Sequence, residues 1–190
     1  MKNQLKILIA LIFIAILTIA CGSSKEVTVK PSGGSANEPG STAVEATKPV
    51  GTARSNPAPK GSIITADKMD FSVIETIRPA DDIVMAGNQF NTKPEEGFQY
   101  VFVKIQVTCT KGADETCSVS PVSFKMIGNE GIAYDSEWIL SGVEGLLDSK
   151  EFYGGATVTG YVGFIVKSAD TSLILTYNPL FGDVFYMSVE

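Results

Sequence analysis

Residues 98–109 read Phe-Gln-Tyr-Val-Phe-Val-Lys-Ile-Gln-Val-Thr-Cys, and this stretch decides the fold. Val101, Val103, Ile105, Val107 and Cys109 alternate with Phe102, Lys104, Gln106 and Thr108. A period of two is what a strand shows when one face is buried. Working outward, Met69–Ile77, Leu173–Tyr177 and Val184–Val189 have the same character. In Ala156–Val166, Val158, Val162, Phe164 and Val166 are in phase, and Gly160 and Gly163 permit a bend or a close sheet contact. Gly128, Asn129, Glu130 and Gly131 separate Phe124–Ile127 from Ile132–Tyr134, a spacing that predicts a hairpin. Six or seven short strands with Gly and Pro between them predict an all-β, antiparallel β-sandwich. The one plausible helical turn is Val143–Leu147, weakened by Gly142 and Gly145.

The N-terminal sixty residues have a different composition. Lys2 and Lys6 precede an apolar run from Ile7 to Ile19, and Ala20 stands directly before Cys21. Cationic start, apolar middle and small residue at the cut are the features of an export signal. The run spans roughly 20 Å as a helix, short of the ~30 Å hydrocarbon thickness, which argues against an uncleaved membrane helix. Thr18-Ile19-Ala20-Cys21 resembles the bacterial lipobox, departing from it at Thr18. It makes residues 1–20 a lipoprotein signal peptide and Cys21 the lipidation site. Ordinary cleavage after Ala20 also fits the small-residue rule. Residues 21–60 are then expected to be a disordered linker. Gly22–Lys60 has no aromatic residue and holds Pro31, Pro39, Pro49, Pro57 and Pro59 among Gly, Ser, Thr and Ala. Such a composition buries too little apolar surface to offset the entropy of ordering. A flexible coil of that length reaches roughly 35 Å; a wall-embedded or glycosylated stalk has the same composition.

Residues 61–190 are expected to form the sandwich. They carry eight Lys and Arg against eighteen Asp and Glu, which opposes binding to nucleic acid or anionic headgroups. The aromatic residues Phe71, Phe98, Phe102, Phe124, Trp138, Phe152, Tyr161, Phe164, Tyr177 and Phe185 supply the candidate core. For Trp138 the alternatives are the core or sandwich rim and a ligand platform.

The motifs Gly97–Val107, Phe124 with Gly131–Tyr134, and Gly155–Phe164 resemble a widespread family of exported bacterial domains of unknown function. The resemblance covers about residues 65 to 180. It implies a telokin-like, immunoglobulin-like sandwich, similar in fold to immunoprotective extracellular proteins, with lipobox, polar linker and domain in that order. No functional residue is carried over by it. The pair Cys109 and Cys117 departs from the family's pattern, which has an Asn-rich turn there.

Outside the cytoplasm, two cysteines so close in sequence are expected to form a structural disulfide across a hairpin end. A redox pair would have two intervening residues and a helix N-terminus, neither of which is evident. The chain contains no histidine, which removes Ser-His-Asp and Cys-His catalysis and most catalytic zinc sites. Asp81–Asp82, Glu95–Glu96 and Asp114–Glu115 are adjacent pairs, and neighbours on a strand point to opposite faces. Asp67, Asp70, Asp81 and Asp82 could assemble a calcium site only without the usual loop motif, so no metal, cofactor or catalytic residue is expected.

The expected function is that of a membrane-anchored, extracytoplasmic lipoprotein with a non-catalytic binding module. Its partners would be the membrane, through lipid on Cys21, and an unknown extracellular or envelope protein. An accessory subunit of a transport or envelope complex is the alternative, and a carboxylate-based hydrolase a more distant one. Loops Ala80–Thr92 and Ser136–Glu151 are the candidate contact regions, with Asp81, Asp82 and Trp138 as candidate binding residues.

Overall fold

The computed structural model describes residues 27–30 and 48–190. Among these residues eleven strands follow one another: β1 (Thr28–Lys30), β2 (Ile63–Ala66), β3 (Met69–Ile77), β4 (Phe98–Cys109), β5 (Thr116–Val119), β6 (Phe124–Ile127), β7 (Ala133–Glu137), β8 (Lys150–Tyr153), β9 (Thr157–Lys167), β10 (Ile174–Tyr177) and β11 (Phe185–Ser188). A short helix, α1 (Asp81–Gly87), lies between β3 and β4. Nine strands form one curled antiparallel sheet in the order β1-β2-β3-β4-β9-β7-β6-β10-β11, and β5 pairs with β8 apart from it. The curl occurs at β7, where Ser136 and Glu137 pair with β9 while Ala133–Asp135 pair with β6. The sheet thereby folds on itself into the two layers of a sandwich.

The alternation in β4 places Val101, Val103, Ile105, Val107 and Cys109 in the inner core. From the opposite layer come Phe124, Met126, Leu175, Tyr177, Phe185 and Met187. Phe71 sits between them, with ring centroids 4.7 Å from Tyr177 and 4.8 Å from Phe185, spacings typical of favourable aromatic pairs. The predicted hairpin forms with Ile127 opposite Ala133. Burial and the charge of Asp67 push the Tyr177 hydroxyl up to about 12.

Two parts of the expected linker are ordered against the sandwich. In β1, Thr28, Val29 and Lys30 pair with Thr65, Ile64 and Ile63, and Val27 and Val29 pack on the inner core. Gly51 is buried and left-handed, and a Cβ there would meet Val29 Cγ2 at 3.1 Å and Ile64 Cδ1 at 3.2 Å. The Ala58 amide donates to the Tyr186 carbonyl at 2.9 Å, and the Tyr186 amide donates to Gly51 at 2.8 Å. Composition argues disorder from the scarcity of large apolar side chains. Here backbone hydrogen bonds and small side chains hold the segment instead. The signal segment, Cys21 and residues 31–47 lie outside the described residues.

The helix is likewise a correction. Asp81–Gly87 was expected in a loop, and Val143–Leu147 as the helical turn; the latter is turn and bridge, with Gly142 and Gly145 both left-handed.

Candidate binding face

The start of β4 is buried on both sides. Tyr100 and Phe102 point away from the inner core yet are covered, because α1 and residues 140–146 lie over them. Ala80 and Val84 bury against these rings, and Leu140, Val143, Leu146 and Tyr161 complete a second, smaller core. The two loops singled out in sequence therefore meet on the outer face of the sheet.

Hydrogen bonds hold them together. The Asn91 amide nitrogen donates to the carbonyls of Val84 at 2.7 Å and Ser141 at 2.8 Å, and its oxygen accepts from the Ser141 amide at 3.1 Å. Asn88 donates to the Ser141 hydroxyl at 3.0 Å. Gly142 is left-handed and so close to Gly87 that a Cβ there would fall on the Gly87 carbonyl oxygen.

This clamp leaves large apolar side chains in solvent. Phe90 is 81% exposed, Trp138 61% and Ile139 73%, with Ile83 and Met85 exposed on α1. Trp138 is thus not a core residue, whereas Leu147 and Phe152 are buried and Leu140 and Leu146 pack on the smaller core. Asp81 and Asp82 occupy the first turn of α1. Burial, then the charges of Glu137 and Asp81, raises the Tyr100 hydroxyl above its ordinary range, so both carboxylates lie within electrostatic reach of that ring. The Tyr100 hydroxyl donates to the Thr92 carbonyl at 3.0 Å, beside a cleft of about 300 Å³ lined by Thr92, Pro94, Phe98, Tyr100 and Ile165.

Sequence reasoning named Asp81, Asp82, Trp138 and the Ser136–Glu151 loop that carries Ile139 beside it, but missed Phe90 and the Asn91–Ser141 clamp. The available signal was one aromatic within the polar run Asn88-Gln89-Phe90-Asn91-Thr92. The four carboxylates weighed for calcium are used separately: Asp70 accepts from Thr65, Asp67 accepts from the Asp183 amide, and Asp81 and Asp82 are on α1. No group of three or more Cys, Asp or Glu side chains able to hold a metal occurs among the described residues. No helix among them is long and apolar enough to cross a membrane. Cys109 and Cys117 are disulfide-bonded, with Cα atoms 5.7 Å apart, joining the end of β4 to β5.

The architecture is that of a small antiparallel β-sandwich with one elaborated outer face. Residues 59–184 match the family described as a domain of unknown function, DUF4352, and the chain belongs to it. No curated protein matches the sequence. Among solved structures the fold is similar to ycdA of Bacillus subtilis, provisionally named a lipoprotein, at 12% identity and a TM-score of 0.50 over 68% of this chain and 38% of that one. The yjhA protein of Bacillus subtilis aligns at 12% identity and a TM-score of 0.49, over 70% of this chain and 99% of that one. A secreted protein of Mycobacterium tuberculosis, MPT63, aligns at 14% identity and a TM-score of 0.45, over 66% and 83% respectively.

Proposed function

We propose that this protein is an extracytoplasmic lipoprotein, anchored through Cys21, whose sandwich is a non-catalytic module for binding another protein. The observation that carries the reading is the clamped outer face. Two segments are fixed by the Asn91–Ser141 hydrogen bonds, yet Phe90, Trp138 and Ile139 project into solvent. Aromatic side chains on a fixed backbone have only two side-chain torsions to order on binding and serve as anchors in protein interfaces. Asp81, Asp82 and Glu137 give the face an acidic rim, so the partner should offer an apolar pocket edged by Lys or Arg.

The test is site-specific photo-crosslinking in the native cell envelope. A photoreactive side chain at Ile139 should give one discrete adduct, reduced at least several-fold by Trp138→Ala. The same group at Thr159, exposed on the outer face of β9, should not. Equal adduct patterns at the two positions would refute the reading.

A further inference from the structure

A second exposed apolar feature lies at the opposite end of the sandwich. Leu180 and Phe181, in the loop between β10 and β11, are 90% and 88% exposed. The loop is not free to go anywhere. The Asp183 amide donates to both carboxylate oxygens of Asp67, at 3.0 and 3.1 Å, and Asp67 occupies the turn between β2 and β3. Exposed Tyr153 is also at this end, because β8 pairs it with Thr116 beside the disulfide.

The direction of β1 shows what this end faces. Thr28 pairs with Thr65 and Lys30 with Ile63, so the chain enters β1 beside Ala66 and Asp67. Only five residues separate Cys21 from Val27, and six peptide units span at most roughly 20 Å. The linker that composition suggested would have left the orientation of the domain open. With β1 seated on β2, a lipid on Cys21 must enter the bilayer close to the Asp67 turn, and hence close to the Leu180–Phe181 loop.

We propose that Leu180 and Phe181 insert into the bilayer interface as a second, non-covalent contact, holding the sandwich with its Asp67 end down and its clamped outer face away from the membrane. This orientation rests on the anchoring at Cys21 proposed above. Two adjacent large apolar side chains at a loop tip suit the interface, where apolar groups reach the acyl boundary while the backbone stays hydrated. At the same end Asp67, Asp114, Glu115 and Asp183 outnumber Lys68 and Lys111, which favours neutral headgroups over anionic ones.

The experiment uses the chain from Cys21 onward, coupled through that thiol to a maleimide phospholipid in phosphatidylcholine vesicles containing brominated lipid. The other two cysteines are disulfide-bonded, so coupling is selective under non-reducing conditions. Two single-indole proteins are compared: the natural one with Trp138, and one carrying Phe181→Trp with Trp138→Phe. Bromolipid should quench the indole at position 181 several-fold more than that at 138, with a blue-shifted emission. Similar quenching at both positions, or none at 181, would overturn the proposal, as would crosslinking of two copies through this loop in place of quenching. Synthetic coupling makes this result independent of native lipidation. Intact mass of protein extracted from its native membrane tests that separately, a mass beginning at lipidated Cys21 being expected.

Discussion

The inner core and the smaller core under α1 share strand β4 but are built on different principles. The inner core is made by periodic strands that supply Val101, Val103, Phe164 and Phe185, all fully buried. The outer one is made by a short helix and irregular chain, with Asn91, Ser141, Gly87 and Gly142 fixing their position by hydrogen bonds and close backbone approach. The difference teaches that stability and presentation are divided between the two faces of one strand. Burial on the inner face sets whether the protein folds; polar clamping on the outer face sets where Phe90, Trp138 and Ile139 are held.

Substitutions can break this division, beginning with the inner core. Phe164→Ala removes a fully buried ring and should destabilise the whole domain by about 3–5 kcal/mol, seen as a lowered denaturant midpoint with an unchanged slope. Replacing Cys109 and Cys117 together by Ser should cost about 2.5 kcal/mol in the chain-entropy picture of a loop this short. That loss too should be global, because both residues belong to the inner core. Asn91→Ala should cost about 1–2 kcal/mol, from the loss of three hydrogen bonds. Its signature is local: faster amide exchange in residues 80–92 and 136–146, with protection of β4 retained at Val101–Val107. A global loss of protection would show that the two cores are one cooperative unit.

A further effect is confined to alkaline pH. Tyr177 has its folded-state value raised to about 12 from an ordinary 10.0. The unfolded chain therefore releases this proton first, and the stabilisation present below pH 10 is lost as pH rises from about 10 towards 12. Tyr177→Phe should flatten that part of the stability curve. Tyr100 shifts the same way on the outer side, so Tyr100→Phe should alter alkaline exchange in α1 more than in β10.

The inner core was legible because burial on one face imposes a period of two, and β3, β4 and β9 show it over nine to twelve residues. The β6–β7 hairpin was legible from its glycines. Helix α1 was not: it is seven residues long, lacks a side-chain cap, and presents Ile83, Val84 and Met85 consecutively instead of at helical spacing. Asp81 and Asp82 after Pro79 were its only start signal. Phe102 is the instructive case. It breaks the polar alternation of β4 in sequence, and the break marks where the outer face acquires a cover. Neither Asn91 nor Ser141 announces a partner fifty residues away, since a hydrogen bond between loops leaves no period.

The segment from β1 to Ala58 has a further consequence, for solubility. An open sheet ends in two rows of unpaired amides and carbonyls, each a template on which another chain can add as a strand. Here both borders are occupied by one stretch of chain. Three residues of β1 lie along β2, ending in exposed Lys30, and Gly51 and Ala58 hydrogen-bond along β11 at the other border. A fragment beginning at residue 61 would keep nearly every large core side chain and still lose both covers, leaving a sandwich more prone to stack edge to edge.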